Sequence, residues 1–337
     1  MREREKMLQL FATQTTESAG LSAEMKTFYD GCLIDNAEPH LVHEQFGDEY
    51  PIPQGKGKVI EFRKFSRLNK ALTPLTEGVT PEGSTLTVTT STATVQQYGD
   101  YIQMSDMLDM TALDHGVAQA TRLLGAQAGL TLDSVAREVL NAGTNVLYAP
   151  KTVSGVETEV TSRKTLDKTS LLTPDLIYRA AAFLKTSLCD RIDGDYVAII
   201  HPYVAYDLMR CEEWIDAHKY ASPEQLYSGE IGKLGGVRFV ESSEAKIWKD
   251  STTPDGLAVF STLVLGAHAY AKTAISGGGL TTIVKPLGYG EDPLNQRSSV
   301  GWKATSAVKR LSEEFMVRIE SCSSRYSETA EANGETG

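Results

Sequence analysis

Residues 56–70, KGKVIEFRKFSRLNK, constrain the fold more than any other stretch. They carry six basic side chains against one acid. Val59, Glu61, Arg63 and Phe65 alternate with Ile60, Phe62, Lys64 and Ser66, so a strand here puts charge on both of its faces. A core strand keeps at least one face apolar. This segment is therefore expected to face solvent or a partner. Pro74, Gly78, Pro81 and Gly83 mark reversals, and STLTVTTSTATVQQYGDYIQM (84–104) then supplies a β-branched run of high strand propensity. The two runs predict a long two-stranded hairpin with few large apolar side chains. Such a ribbon is marginal in water by itself and needs something to lie against.

The flanking chain is equally uneven. Residues 1–50 hold four basic and ten acidic side chains, with helical patches near Met25, Phe28 and Tyr29, and read as an arm. From about Thr111 to Asn141 the period becomes helical. Leu132, Val135, Ala136, Val139 and Leu140 continue a stripe begun by Val117, Ala120, Leu123 and Leu124, with Gly125, Ala126, Ala128 and Gly129 between. A helix of about 30 residues is about 45 Å long, more than most compact domains need. Residues 150–172 read as a loop or weak hairpin. Thr173-Pro174-Asp175 has the pattern of a helix start, with Thr173 as N-cap, and the helix is expected to run to about Cys189. Tyr196–Ile200 (YVAII) is a buried strand, a helix follows His201-Pro202, and strands are expected near 236–241 and 258–265. Residues 299–309 and 315–320 return to strand, with Phe315, Val317 and Ile319 alternating with Met316, Arg318 and Glu320. The Ser/Glu/Gly-rich end after Ser321 is expected to be flexible.

A catalytic centre is hard to find. There is no P-loop, no G-x-S-x-G elbow, and Gly277-Gly278-Gly279 precedes a strand rather than a helix. His40, His43 and Glu44 lack the H-E-x-x-H order and read as solvated or interface side chains rather than a zinc site. Asp190, Asp193 and Asp195 lack the spacing of a calcium loop and read as a polar turn. His201, after a buried strand, reads as a structural cap. Trp214, Trp248 and Trp302 read as core or interface anchors. The four cysteines are scattered and read as reduced thiols. The chain has 337 residues with 33 Lys plus Arg against 44 Asp plus Glu, a net charge of −11. That balance opposes a basic nucleic-acid-binding face. No apolar run approaches the roughly 18 residues of a membrane span, and the first residues lack a signal-peptide core, so a soluble protein made in the cytosol is expected. No cofactor is implied.

The order of parts resembles the major capsid proteins of tailed bacteriophages with the Hong Kong ninety-seven fold. The subgroup it resembles is that of the coliphage N-four type. The matching stretches are SAGLSAEMKTFYD (18–30), IEFRKFSRLNKALTPLTEGVTPEG (60–83), QYGDYIQMSD (97–106), GDYVAIIHPYVAYDL (194–208), GEIGKLGGVRFVE (229–241) and DPLNQRSSVGWKAT (292–305). No single stretch is diagnostic; their number and collinear order make the match specific.

The resemblance implies an α+β capsid fold. Residues 1–50 would be an N-terminal arm and 51–105 an extended β-hairpin loop with its return strand. Residues 106–172 would be a peripheral domain with a long spine helix, 173–285 an α/β axial domain, 286–322 the closing peripheral strands, and 323–337 a flexible tail. It implies a non-enzymatic protein that assembles as hexamers and pentamers into an icosahedral shell around double-stranded DNA. The expected location is the virion, after assembly in the bacterial cytoplasm. Arg63, Lys64, Arg67, Lys70 and Glu77 are the expected inter-subunit contacts. A separate scaffolding protein, a portal and a decoration protein are the expected partners. Some members cross-link subunits through Lys and Asn; Lys70 and Asn69 lie in the loop, but no motif identifies a partner, and no cross-link is expected. The alternatives are an encapsulin-like cellular compartment and an α/β enzyme using His201 and Asp195.

Overall fold

A computed structural model describes residues 32–37, 41–75, 77–78, 80, 83–111, 116–153, 156–215, 230–289, 292 and 294–333. Most of the expected N-terminal arm, including Met25, Phe28, Tyr29 and His40, lies outside them. The chain divides into two compact units, the larger comprising 41–96, 132–277 and 306–337.

The larger unit is built on a seven-stranded sheet. Tyr196–Ile200 is fully buried, as a run of five apolar residues requires. It pairs in parallel with Val237–Glu241 and antiparallel with Val259–Leu265. Glu230–Leu234 adds to the outside of Val237–Glu241, and Ile247–Trp248 pairs with Val259–Leu265. On the other side come Met316–Ser321 and then Val146–Tyr148. Leu176, Ile177, Ala180, Ala181 and Leu184 of helix Pro174–Thr186 join Ala198, Ile200, Phe239 and Val264 in one apolar core. Ala136 and Leu140 join Ile199, Leu263, Leu265 and Met316 in another.

Local details depart from expectation in instructive ways. Thr173 has the extended backbone of an N-cap, but its side chain makes no capping bond, and the helix stops at Thr186 rather than Cys189. Pro174 still starts the helix, its missing N–H being one that the first turn leaves unpaired in any case. Met316–Ser321 is not half-exposed: all six residues are buried, because the strand lies inside the sheet with a neighbour on each side. It belongs to the same sheet as Tyr196–Ile200. The segment after Ser321, expected to be flexible, is packed as far as Asn333. Tyr326 stacks on Tyr203 with ring centroids 3.9 Å apart. Asp207 accepts hydrogen bonds from Ser323 Oγ and Ser324 N at 2.8 and 2.9 Å. Asn333 accepts from Ile247 N at 2.7 Å and donates to Ala245 O at 2.8 Å.

The long helix is Gly116–Asn141, 26 residues, preceded by the short helix Asp106–Thr111. Its buried stripe runs through Ala120, Leu124, Ala128, Leu132, Ala136 and Leu140, while Leu123 is 67% exposed. The stripe also includes the charged residues Asp133 and Arg137. In the smaller unit the glycines of this helix have a definite use. A Cβ on Gly125 would lie 2.6 Å from Leu33 O, and one on Gly129 would lie 2.4 Å from Ala37 O. Only glycine lets the helical stretch 32–37 approach so closely. Strand Thr281–Lys285 pairs antiparallel with 299–303, and Gln96–Ser105 pairs with the same long strand, Arg297–Arg310. Trp302 is buried there and donates to Gln127 Oε1 at 3.2 Å.

The hairpin forms as Val59–Phe65 antiparallel to Val88–Thr94, a two-stranded sheet of its own. The Thr-rich run breaks after Thr94, so its second half belongs to a different sheet. At the base, Ile52, Val95 and Ala307 form a small apolar cluster. Further out, Phe65, Leu68, Leu72, Leu75 and Leu86 are 57–81% exposed.

Candidate functional site

The enzyme candidates are not brought together into a reacting constellation. His201 is buried and caps helix Pro202–Met209, its Nδ1 accepting from Tyr203 N at 3.1 Å. Its ring lies against Tyr203 and Phe260, with centroids 4.7 and 5.2 Å away. Burial pulls its pKa down to about 4. Asp195 pairs instead with Lys233 at 2.5 Å. The four cysteines are free thiols; burial pushes Cys189 up to about 11 and Cys322 up to about 12, which suppresses thiolate chemistry. Among the described residues no group of three or more His, Cys, Asp or Glu could hold a metal ion. No described helix is long and apolar enough to cross a membrane. One groove of about 660 Å³ is lined by Glu157, Glu159, Asp175, Arg179, Cys211, Glu212 and Glu213; burial and the neighbouring Glu213 and Asp207 push the Cys211 thiol up, away from its thiolate.

The capping role of His201 has a testable sign. Its folded pKa is depressed below the unfolded value near 6.5, so below that value the unfolded chain binds the extra proton. The stabilising contribution of the neutral ring is complete above about pH 6.5 and is lost as pH falls toward 4. An asparagine can cap a helix without titrating. In His201→Asn, melting temperatures measured from pH 7 to 4 are expected to fall less steeply than in the parent.

His43 is not solvated. It is fully buried, with Nδ1 2.6 Å from Asp133 Oδ2 and its backbone N donating to Asp133 Oδ1 at 2.6 Å. Tyr270 donates its hydroxyl to His43 O at 2.5 Å and accepts from Phe46 N at 3.2 Å. Burial holds the Tyr270 phenol protonated, with its pKa pushed far up.

The sequence pattern missed a second set of buried charges. Glu320 is inaccessible and takes a bidentate pair from Arg163, with both bonds at 2.7 Å, and a third bond from Arg318 Nε at 2.9 Å. The Arg163 guanidinium lies 3.8 Å from the ring centroid of Trp248. Arg318 Nη1 also donates to Asn141 O and Gly143 O, just where the long helix ends. Arg137, 2% exposed, binds Glu138, Glu244 and Asn333 O. A faint signal existed: Arg318 and Glu320, opposite in sign, share one side of a strand whose other side carries Val317 and Ile319. These are scaffolding interactions, not chemistry.

The hairpin charges divide into two kinds. Arg63 pairs with Glu61 on its own strand at 3.1 Å, where both are exposed. Lys64 Nζ sits 5.5 Å above the ring of Phe315. Arg67 Nη2 donates to Ser187 O at 2.8 Å and Leu188 O at 3.2 Å. Lys70 and Glu77 are exposed, with no ion pair among the described residues.

The sequence matches a family model described as phage capsid protein over residues 88–319. The fold is similar to the capsid of Ralstonia phage GP4, at 14% identity and a TM-score of 0.65, over 93% of this chain and 97% of that one. It is similar to the capsid of cyanophage Pam1 at 13% identity and 0.62, with the same coverages. The capsid of cyanophage P-SCSP1u aligns at 13% identity and 0.60, over 93% of each chain. No curated protein matches the sequence.

Proposed function

Because this chain belongs to the phage capsid protein family and has the α+β Hong Kong ninety-seven-type fold of solved phage capsids, we propose that it assembles as hexamers and pentamers into an icosahedral shell around double-stranded DNA. It is a structural protein of the virion, the major capsid protein, and not an enzyme. The observation that carries the proposed assembly is the family match across 88–319, which includes the outer strand of a hairpin whose large apolar residues are left uncovered by the described chain. A protein that extends so much marginal structure completes itself against copies of its neighbours.

In this reading 51–105 is the extended loop, 106–172 holds the spine helix of a peripheral domain, and 173–285 is the axial domain. Residues 286–315 return to the peripheral domain, and Met316–Ser321 joins the sheet of the axial domain. The matching stretches support placing the chain in the N-four type subgroup. Assembly takes place in the bacterial cytoplasm with a separate scaffolding protein and a portal, and a decoration protein is a further partner. The genome is enclosed without sequence-specific binding, consistent with a net charge of −11 that limits adhesion to a packed polyanion. The encapsulin-like alternative has less support, since the family model is that of phage capsids.

Electron microscopy of the expressed chain tests the reading: shells or capsomers are expected. A folded chain that stays monomeric at high concentration, with and without a scaffolding protein, would sink it. Lys70 and Glu77 are proposed to meet the neighbouring subunit. Each exposed pair is worth about 0.2–1 kcal/mol, but a shell repeats it in every subunit. Lys70→Glu is therefore expected to cut particle yield several-fold at low salt, with partial recovery near about 0.5 M salt, where screening is short-ranged. Light scattering against salt concentration checks this.

A further inference from the structure

We propose that the turn closing helix Pro174–Thr186 is a seat for Arg67, filled in the free subunit by its own Arg67 and in the shell by Arg67 of an adjoining copy. The inference rests on the shell reading above and deepens it by naming what the hairpin grips.

The seat is built for a guanidinium. Beyond the last helical turn the backbone N–H groups of Ser187, Leu188 and Cys189 all turn back to Phe183, Lys185 and Leu184 carbonyls. Leu188 makes the reversal with a φ of 53°, an uncommon conformation for a branched apolar residue. The donors are thus used up, while the carbonyls of Ser187 and Leu188 point toward Arg67 at the negative end of a 13-residue helix. A planar group with five donors suits two adjacent carbonyls better than an ammonium does.

The hairpin is hung so that it can change partners. Its root carries Gly55 and Gly57, with φ of 79° and 89° and open space around each. Such residues swing without meeting a side-chain barrier. Outward from the root, the hairpin is tied to the rest of the described chain by Arg67, by Lys64 and by the Phe62 ring, which meets Tyr50 edge-on with centroids 5.5 Å apart. Arg67 is itself exposed, so water can replace the carbonyls while the hairpin moves.

Exchange between copies costs little at the seat, because the bonds broken within one chain are remade in the next. The gain lies elsewhere. Leu68, Leu72, Leu75 and Leu86, uncovered in the single chain, are carried onto a neighbour and lose water contact. Each subunit then gives one Arg67 and receives another, a head-to-tail relation that closes into rings.

The test is chemical cross-linking with Arg67 left intact. Asn69→Cys and Leu188→Cys are combined, both at exposed positions. Dissociated subunits and assembled particles are treated with a short bis-maleimide and separated on denaturing gels. Single-cysteine variants alongside account for the four native thiols. Dissociated subunits should give a link within one chain at monomer length, and particles a ladder of dimers and higher rungs. Ser66→Cys with Leu188→Cys repeats the measurement if the first pair does not assemble. Particles whose links stay within one chain overturn the exchange and leave the shell reading standing. A parent chain that forms no particles takes down both.

Discussion

Glu320→Ala should lower the stability of the unassembled subunit by about 3–5 kcal/mol, the usual cost of leaving a buried charge without its partner. The reason is geometric. Glu320 is wholly inaccessible and is the shared acceptor for Arg163 and Arg318, which are themselves largely covered. Removing it leaves two cations facing each other beside Trp248. A subunit with a typical margin of about 5–15 kcal/mol loses a large part of it. Glu320→Gln keeps the shape and one acceptor for these donors, so its loss should be smaller. Replacing Arg163, Arg318 and Glu320 together by Met, Leu and Leu should recover part of the deficit, since buried ion clusters are often matched by apolar packing. Recovery will be incomplete, because Arg318 also serves the carbonyls of Asn141 and Gly143. Urea denaturation of the four proteins measures this ordering; an alanine variant within 1 kcal/mol of the parent would falsify it.

Asp133→Ala is expected to be nearly as damaging, about 3 kcal/mol, for a different reason. Here the loss is mainly of acceptors. Asp133 satisfies both the backbone N–H and the ring of His43, all inside the protein. An orphaned buried donor costs about 1–3 kcal/mol, and here there are two. The damage should be local first. Residues 41–47 are held by Asp133, by the hydroxyl of Tyr270, and by Gly47 fitting under the Tyr270 ring, where a Cβ would lie 2.4 Å away. Limited proteolysis should therefore open this segment before the sheet unfolds. Asp133→Asn retains one acceptor and should cost roughly half as much. Equal protection of residues 41–47 in parent and alanine variant would contradict this account.

Both effects arise at residues that local pattern assigns to the surface. The parts that could be read from the sequence were those whose reason is local. YVAII is buried because it has no polar face, and KGKVIEFRKFSRLNK is exposed because it has no apolar one. Gly125 and Gly129 stood out as small, though nothing local said that 32–37 lies against them. Arg163, Glu320, Asp133 and Arg137 could not be placed this way. Their partners are 157, 90 and 107 residues away, and a charge in an alternating strand is ordinarily solvated. The stretch after Ser321 misled for the same reason. Its composition is that of a tail, but Asp207, Tyr203 and Ala245 hold it, and none is nearby in sequence. Of the hairpin charges, Arg63 has a neighbour that sequence could suggest, Glu61 on its own strand; the carbonyls that receive Arg67 belong to a turn 120 residues on.

The Arg318 guanidinium has a mechanical meaning as well as a thermodynamic one. It holds the last carbonyls of a 26-residue helix to a strand bonded on both sides within a seven-stranded sheet. A pull along that helix is not taken up by the short link at 142–145. It passes through Arg318, and through the bond that Ser261 donates to the Asn141 side chain beside it, into a sheet whose ladder bonds must shear together rather than peel one at a time. The helix end is thus a joint that carries tension, and its strength is that of the sheet.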